Sequence, residues 1–309
     1  MPLQVDRGQA RAPDAVTLVA FATIVLLAGS NVVAVRFSNR ELDPFWGAAL
    51  RFLFASLLLM GAVAVLRLPL PRGRALWGAA VYGLLGFGAF YAFGYQALLR
   101  IPAGLASILL VSVPLLTIFL ALAHSLERFR WQGLAGAALA LGGIVTIFSA
   151  SGPASAPLVP MLLVLASAAY AAEAAVLIKL FPHSHPVTTN AVGTFVGAAL
   201  LLTLSLTARE SWLPPQRLGT TLVLAYLVVP GTFLLFMLVV FAIKRWSASG
   251  VSYQFVLMPV VALSLSAWLE GERLSPSLLL GAALVLSGVY VGALMRPFRP
   301  ASRPLLPGD

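Results

Sequence analysis

Two ionisable residues stand inside long apolar runs: Arg51, about two turns into the run 44–66, and Glu173, in the run 157–179. A charge surrounded by hydrocarbon is expensive, and where one occurs it pairs, lines a watery space or does chemistry. An arginine so placed could hold the carboxylate of a bound solute. It could equally snorkel, or bond backbone carbonyls. Glu173 could carry a proton reversibly, as a coupling group, or cap a polar network. Lys179, near the end of the same run, reads as a snorkelling interfacial residue.

Phe87, Tyr91 and Tyr95 recur every four residues and share one helical face. Such a face can hold apolar or cationic groups while a hydroxyl supplies a polar handle. It could also be plain lipid contact or helix packing. The tyrosines are the rings expected to face a cavity. Further polar candidates are Ser107 and Ser112 in the run 101–123, and Ser252, Tyr253 and Gln254, with Met258 a turn later, in the run 247–269. Gln254 needs a partner or water inside a membrane and is the favoured cavity group. Asn31, in the first run, could bind a solute or glue helices.

Pro114 and Pro259 fall at equivalent points of two runs, each freeing the carbonyl four residues earlier, Leu110 and Phe255. The pair reads as a hinge, with a static kink as the alternative. Gly193-x-x-x-Gly197 and Gly288-x-x-x-Gly292 permit close helix approach. They read as packing within one chain, so a monomer is expected, with a dimer as the alternative.

Several chemistries are excluded. Cysteine is absent, which removes disulfides, thiolate metal sites and cysteine nucleophiles. Lys179 and Lys244 lack the glycine of a phosphate-binding loop. His124, His183 and His185 fall at predicted span ends, where none could activate a serine within the membrane. No catalytic residue, metal site or cofactor is expected.

The elements that must carry these residues are membrane spans. The chain has 309 residues, 60% hydrophobic and only 10% charged, with mean hydropathy +0.97. A soluble domain carries about a quarter charged residues. The net charge of +10 is scattered singly between apolar runs, which suits anionic lipid rather than nucleic acid. Ten runs are long enough to span: 15–35, 44–66, 75–98, 101–123, 131–149, 157–179, 186–208, 218–243, 247–269 and 275–295. The first run reads as a retained helix rather than a cleaved leader. With the N-terminus in the cytoplasm, 13 Lys and Arg fall inside and 6 outside, which predicts both termini cytoplasmic.

Residues 97–143 align with 242–288 at a constant offset of 145, with sixteen of 47 positions identical. Matches include Arg100/Arg245, Pro114/Pro259 and Glu127-Arg128/Glu272-Arg273. Five spans per half is an odd number, so the second half enters from the opposite side. The expected fold is all-α and polytopic: ten transmembrane helices as a 5+5 inverted repeat around a central cavity. The expected divisions are a cytoplasmic N-terminal segment 1–14, repeats 15–149 and 157–295, a linker 150–156, and a disordered cytoplasmic tail 296–309.

The sequence resembles the EamA-type transporters of the drug/metabolite transporter superfamily. The first helix has Gly29-Ser30-Asn31 and Arg36; the second has Pro44 and Arg51-Phe52. The fourth and fifth read Ala103, Ala106, Ser107, Pro114, Leu126 to Arg128, Gln132, Gly136, Ala137, Leu139 and Gly142, echoed by Ala248, Pro259, Gly271 to Arg273, Gly281, Ala282, Leu284 and Gly288. Ala28 stands where the family often has Trp, and Leu126 where it usually has Gly. The resemblance implies a cavity lined mainly by helices 3, 4, 8 and 9, with 5 and 10 peripheral. It also implies export of small metabolites across a bacterial inner membrane by alternating access. Amino acids, aromatic ones included, are the leading substrates, and amphipathic cationic drugs the alternative. A non-transporting scaffold and an intramembrane enzyme are the remaining readings; the latter lacks clustered acid, base or metal residues.

Overall fold

The computed structural model describes residues 14–125, 131–150, 158–182, 184–245, 251, 254–271 and 275–291. The expected linker beyond Ala150, which closes α5, the expected tail, most of the N-terminal segment, Ser252, Tyr253, Glu127, Arg128, Glu272, Arg273, His183 and Gly292 lie outside these.

Among the described residues the chain is helical, with no strand. The helices are α1 Ala15–Ser38, α2 Pro44–Val65, α3 Arg74–Ala97, α4 Ala103–Ala123, α5 Trp131–Ala150, α6 Leu158–Leu180 and α7 Pro186–Thr207. They continue with α8, made of Leu218–Val228, Val229–Leu234 and Leu235–Arg245, then α9 Gln254–Glu270 and α10 Pro276–Val289. Seven of these, α1 to α4 and α6 to α8, are long and apolar enough to cross a bilayer. In the other three the described apolar stretches are shorter.

Local sequence sets the helix starts. Asp14 Oδ1 accepts from the Thr17 amide at 2.9 Å to open α1, and Ser275 Oγ accepts from the Leu278 amide at 3.2 Å to open α10. Pro44, Pro186 and Pro276 occupy first-turn positions, where a missing amide hydrogen is harmless.

Structural details recur between the halves. α3 widens into a π-turn at Leu84–Ala89 and α8 does so at Val229–Leu234, again 145 positions apart and beyond the stretch where the sequences align. α2 and α7 both end on a left-handed arginine, Arg67 and Arg209, with matching closing bonds from Leu68 to Val63 and from Glu210 to Ser205.

The packing is reciprocal as well. α5 lies on α10, where a Cβ on Gly143 would meet the Gly281 oxygen at 2.6 Å and one on Gly288 would meet the Gly136 oxygen at 2.5 Å. Each contact is the other with residues 145 positions apart exchanged. Gly193 and Gly197 pack within the chain, against Gly83 and Phe87 of α3. Large apolar side chains such as Leu57, Val65 and Leu222 face outward, where lipid would cover them.

Candidate functional site

A cavity of about 680 Å³ lies among α1, α2, α3, α4, α6, α8 and α9. Among the described residues helices 5 and 10 contribute nothing to it. Helices 3, 4, 8 and 9 do line it, and α1, α2 and α6 line it with them. The reason is packing: α1 lies on α9 and α6 on both α3 and α4, so both helices border the central space.

One wall is aromatic. Phe87, Tyr91 and Tyr95 all reach the cavity, joined by Phe90 from the neighbouring face of α3. Phe52 meets Tyr91 edge-on at 4.5 Å between ring centroids, and Tyr91 meets Tyr95 at 6.3 Å.

Arg51 is fully buried at the edge of this wall. Its Nε donates to Thr232 Oγ1 at 2.9 Å and its Nη2 to the Gly231 oxygen at 3.1 Å. The guanidinium carbon sits 5.0 Å from the centroids of both the Phe52 and Tyr91 rings. The guanidinium and the buried hydroxyl of adjacent Tyr95 interact at short range without meeting hydrogen-bond geometry, and neither Nη1 nor that hydroxyl has another partner. Among the described residues no carboxylate pairs with Arg51. Donors this deep are normally satisfied.

The π-turn of α8 explains the arrangement. Pro230 has no amide hydrogen to continue the helix, and the ladder opens around it. The Gly231 carbonyl then points sideways and accepts both Arg51 Nη2 and Asn31 Nδ2, the latter at 2.7 Å. Thr232 Oγ1 donates to the Leu227 oxygen at 2.7 Å while receiving Arg51. Asn31 therefore both lines the cavity and ties α1 to α8. A Cβ at residue 231 would crowd Asn31 Oδ1, so glycine there leaves room for the Asn31 side chain. Proline and glycine in the run 218–243 were the available signal for this turn, and sequence reasoning passed over both.

The remaining candidates divide. Gln254, Met258 and Pro114 line the cavity, and so does Lys179, which the sequence placed at the lipid interface. Ser107 and Ser112 do not line it; their hydroxyls bond back to the Gly104 and Leu109 oxygens at 2.6 and 2.7 Å. Pro114 follows a break at Val111 and Ser112 that splits α4 into Ala103–Leu110 and Val113–Ala123, whereas Pro259 sits within an unbroken α9. The equivalent prolines therefore have different local outcomes.

Glu173 does not line the cavity. Its Oε1 lies 2.8 Å from His124 Nε2 at the end of α4, and its Oε2 is buried without a partner. His124 thus has a partner that its span-end position gave no reason to expect. Among the described residues no group of three His, Cys, Asp or Glu is placed to hold a metal.

The EamA-like transporter family matches residues 16–149 and again 158–293. A "Probable amino-acid metabolite efflux pump" of Escherichia coli (strain K12) is 30% identical over 290 residues, covering 90% of this chain and 95% of that protein. The "Uncharacterized inner membrane transporter YedA" of the same organism is 25% identical over 93% of this chain and 94% of that protein. A solved crystal structure, 22% identical, superposes with a TM-score of 0.62 over 91% of this chain and 97% of that one, which shows a shared fold.

Proposed function

Since this chain belongs to the EamA-like transporter family, we propose that it is a secondary transporter that exports small metabolites, with amino acids as its leading substrates. The observation that carries the substrate class is the unpaired Nη1 of Arg51 beside the unpaired Tyr95 hydroxyl. Both are hydrogen-bond donors, and a carboxylate would satisfy both. The apolar and aromatic wall of Phe87, Phe90 and Tyr91 suits an apolar or aromatic side chain, and Gln254 and Asn31 offer polar contacts for an ammonium group. The similarity to a relative named as an amino-acid metabolite efflux pump supports the same class.

The chain is read as ten spans in a 5+5 inverted repeat. The duplicated family match, the paired π-turns and the reciprocal glycine contacts between α5 and α10 support this. Two related halves offer two arrangements of similar energy, the basis of alternating access. The bias of Lys and Arg supports both termini in the cytoplasm, and the relative named as an inner membrane transporter supports that membrane. Glu173 is read as the coupling group, with His124 as its proton-exchanging partner. Pro114 and Pro259 are read as hinges. The cationic-drug reading rests on the tyrosine face, and the positive charges of Arg51 and Lys179 in the same cavity disfavour it.

The test is uptake of labelled phenylalanine, alanine and tetraphenylphosphonium by liposomes holding the purified protein, with and without a pH gradient. Saturable phenylalanine flux is expected. Flux of the cation alone, or of none of the three, would overturn the substrate class.

A further inference from the structure

Beyond the central cavity lies a smaller one of about 180 Å³, lined by Arg36, Asn39, Arg40, Leu98 and Leu99. Leu98 lines both spaces and is itself buried, so the two spaces adjoin at this residue. Two guanidiniums share one carboxylate at this point. Arg36 Nη1 donates to Glu270 Oε2 at 2.8 Å and Arg40 Nη2 to Glu270 Oε1 at 3.1 Å, with Glu270 nearly buried. Arg36 lies in the last turn of α1, Arg40 just past its end, and Glu270 closes α9, so the pairs tie these ends together. Asn39 Nδ2 fixes the floor by donating to the Tyr95 oxygen at 2.9 Å, and its Oδ1 is buried without a partner.

We propose that Arg36 and Arg40 form a second carboxylate-binding station, on the path out of the central cavity, which the Glu270 carboxylate occupies in this conformation, and that Leu98 is the partition between the two spaces. The inference rests on the transporter reading. Glu270 shows that a carboxylate fits between the two arginines with a bond from each. A solute leaving Arg51 past Leu98 meets the same chemistry, an arginine fork facing a carboxylate. It must compete with Glu270 for that fork, and when it wins, the tie between α1 and α9 is released. The gate thereby opens for a molecule that carries a carboxylate. No bond is made or broken beyond exchange of ion-pair partners.

The absence of cysteine allows a direct test. Val35 lines the central cavity one position before Arg36, so Val35→Cys reports access from that end. Labelling by a membrane-impermeant maleimide is measured in right-side-out and inverted vesicles, in the V35C background with and without E270Q, E270D or R36Q/R40Q. Releasing the tie should speed labelling by E270Q about tenfold from one face only, with E270D intermediate. Sodium phenylacetate, against chloride at equal ionic strength, should speed labelling of V35C itself and lose that effect in R36Q/R40Q. Equal labelling of V35C with and without E270Q in both vesicle types, in protein that stays monodisperse, overturns the gate. A phenylacetate effect that persists in R36Q/R40Q overturns the station. Phenylalanine flux measured in parallel separates this proposal from the transporter reading: flux with unchanged labelling rejects the gate and keeps the transporter, and the expected labelling with no flux rejects the transporter.

Discussion

Arg51 Nη2 on α2 donates to the carbonyl oxygen of Gly231 on α8 at 3.1 Å, so the buried cation is seated on backbone rather than on an acid. That leaves its charge uncompensated among the described side chains and one of its nitrogens free. Substitutions there have two separable consequences, one for solute and one for the scaffold.

Arg51→Lys keeps the charge but lacks the planar fork that reaches Thr232, Gly231 and a solute together. Loss of a charge-assisted bond of about 1.5–3 kcal/mol should raise the KM for phenylalanine roughly ten- to a hundredfold. Flux in liposomes checks this. Arg51→Gln should abolish carboxylate-dependent flux while the purified protein still elutes as a folded species.

Gly231→Ala places a methyl group against Asn31 Oδ1 and should destabilise the protein by about 1–3 kcal/mol. Asn31→Ala removes the obstruction. The double variant should therefore be more stable than the sum of the single changes predicts, as read by thermal unfolding in detergent.

Gly143→Ala and Gly288→Ala push equivalent methyl groups into the Gly281 and Gly136 carbonyls. Because the contacts are reciprocal, the two losses should be similar, each about 1–3 kcal/mol. Losses that differ severalfold would argue against the two-fold relation of α5 and α10.

Glu173→Gln keeps the shape of the bond to His124 and removes the exchangeable charge. If the pair couples transport to protons, the variant should carry phenylalanine at a rate that no longer responds to a pH gradient. His124→Gln should flatten the same response. An unchanged pH profile in both variants rejects coupling at this site.

Glu41, in the loop between α1 and α2, is held below the ordinary carboxylate value chiefly by the Thr220 hydroxyl, then by the amides of Gln216 and Arg217. A depressed carboxyl contributes stability above its unfolded value of about 4.3, and that stability fades as pH falls through the lower folded value. Glu41→Gln should therefore lower the melting temperature at pH 7 more than at pH 3.

The apolar runs of the sequence, with one residue in ten charged, place the chain in a bilayer, because no other solvent would cover such a surface. The offset of 145 exposes the duplication, and a lone arginine in an apolar run marks Arg51 as unusual. These features are legible because they depend on composition and spacing along one chain.

The partners of Arg51 were not legible. They are a backbone oxygen 180 positions away and a threonine 181 positions away, and a carbonyl has no signature in sequence until a π-turn points it sideways. The same limit hid the bonds of Ser107 and Ser112 to their own helix, a choice made by rotamer rather than residue type. It also hid the exposure of Lys179 to the cavity, since which face of α6 looks inward is set by its packing on α3 and α4. Sequence determined the solvent, the duplication and the rare charge. Tertiary structure decided which side chains converge, because convergence depends on distances between helices that linear order does not encode.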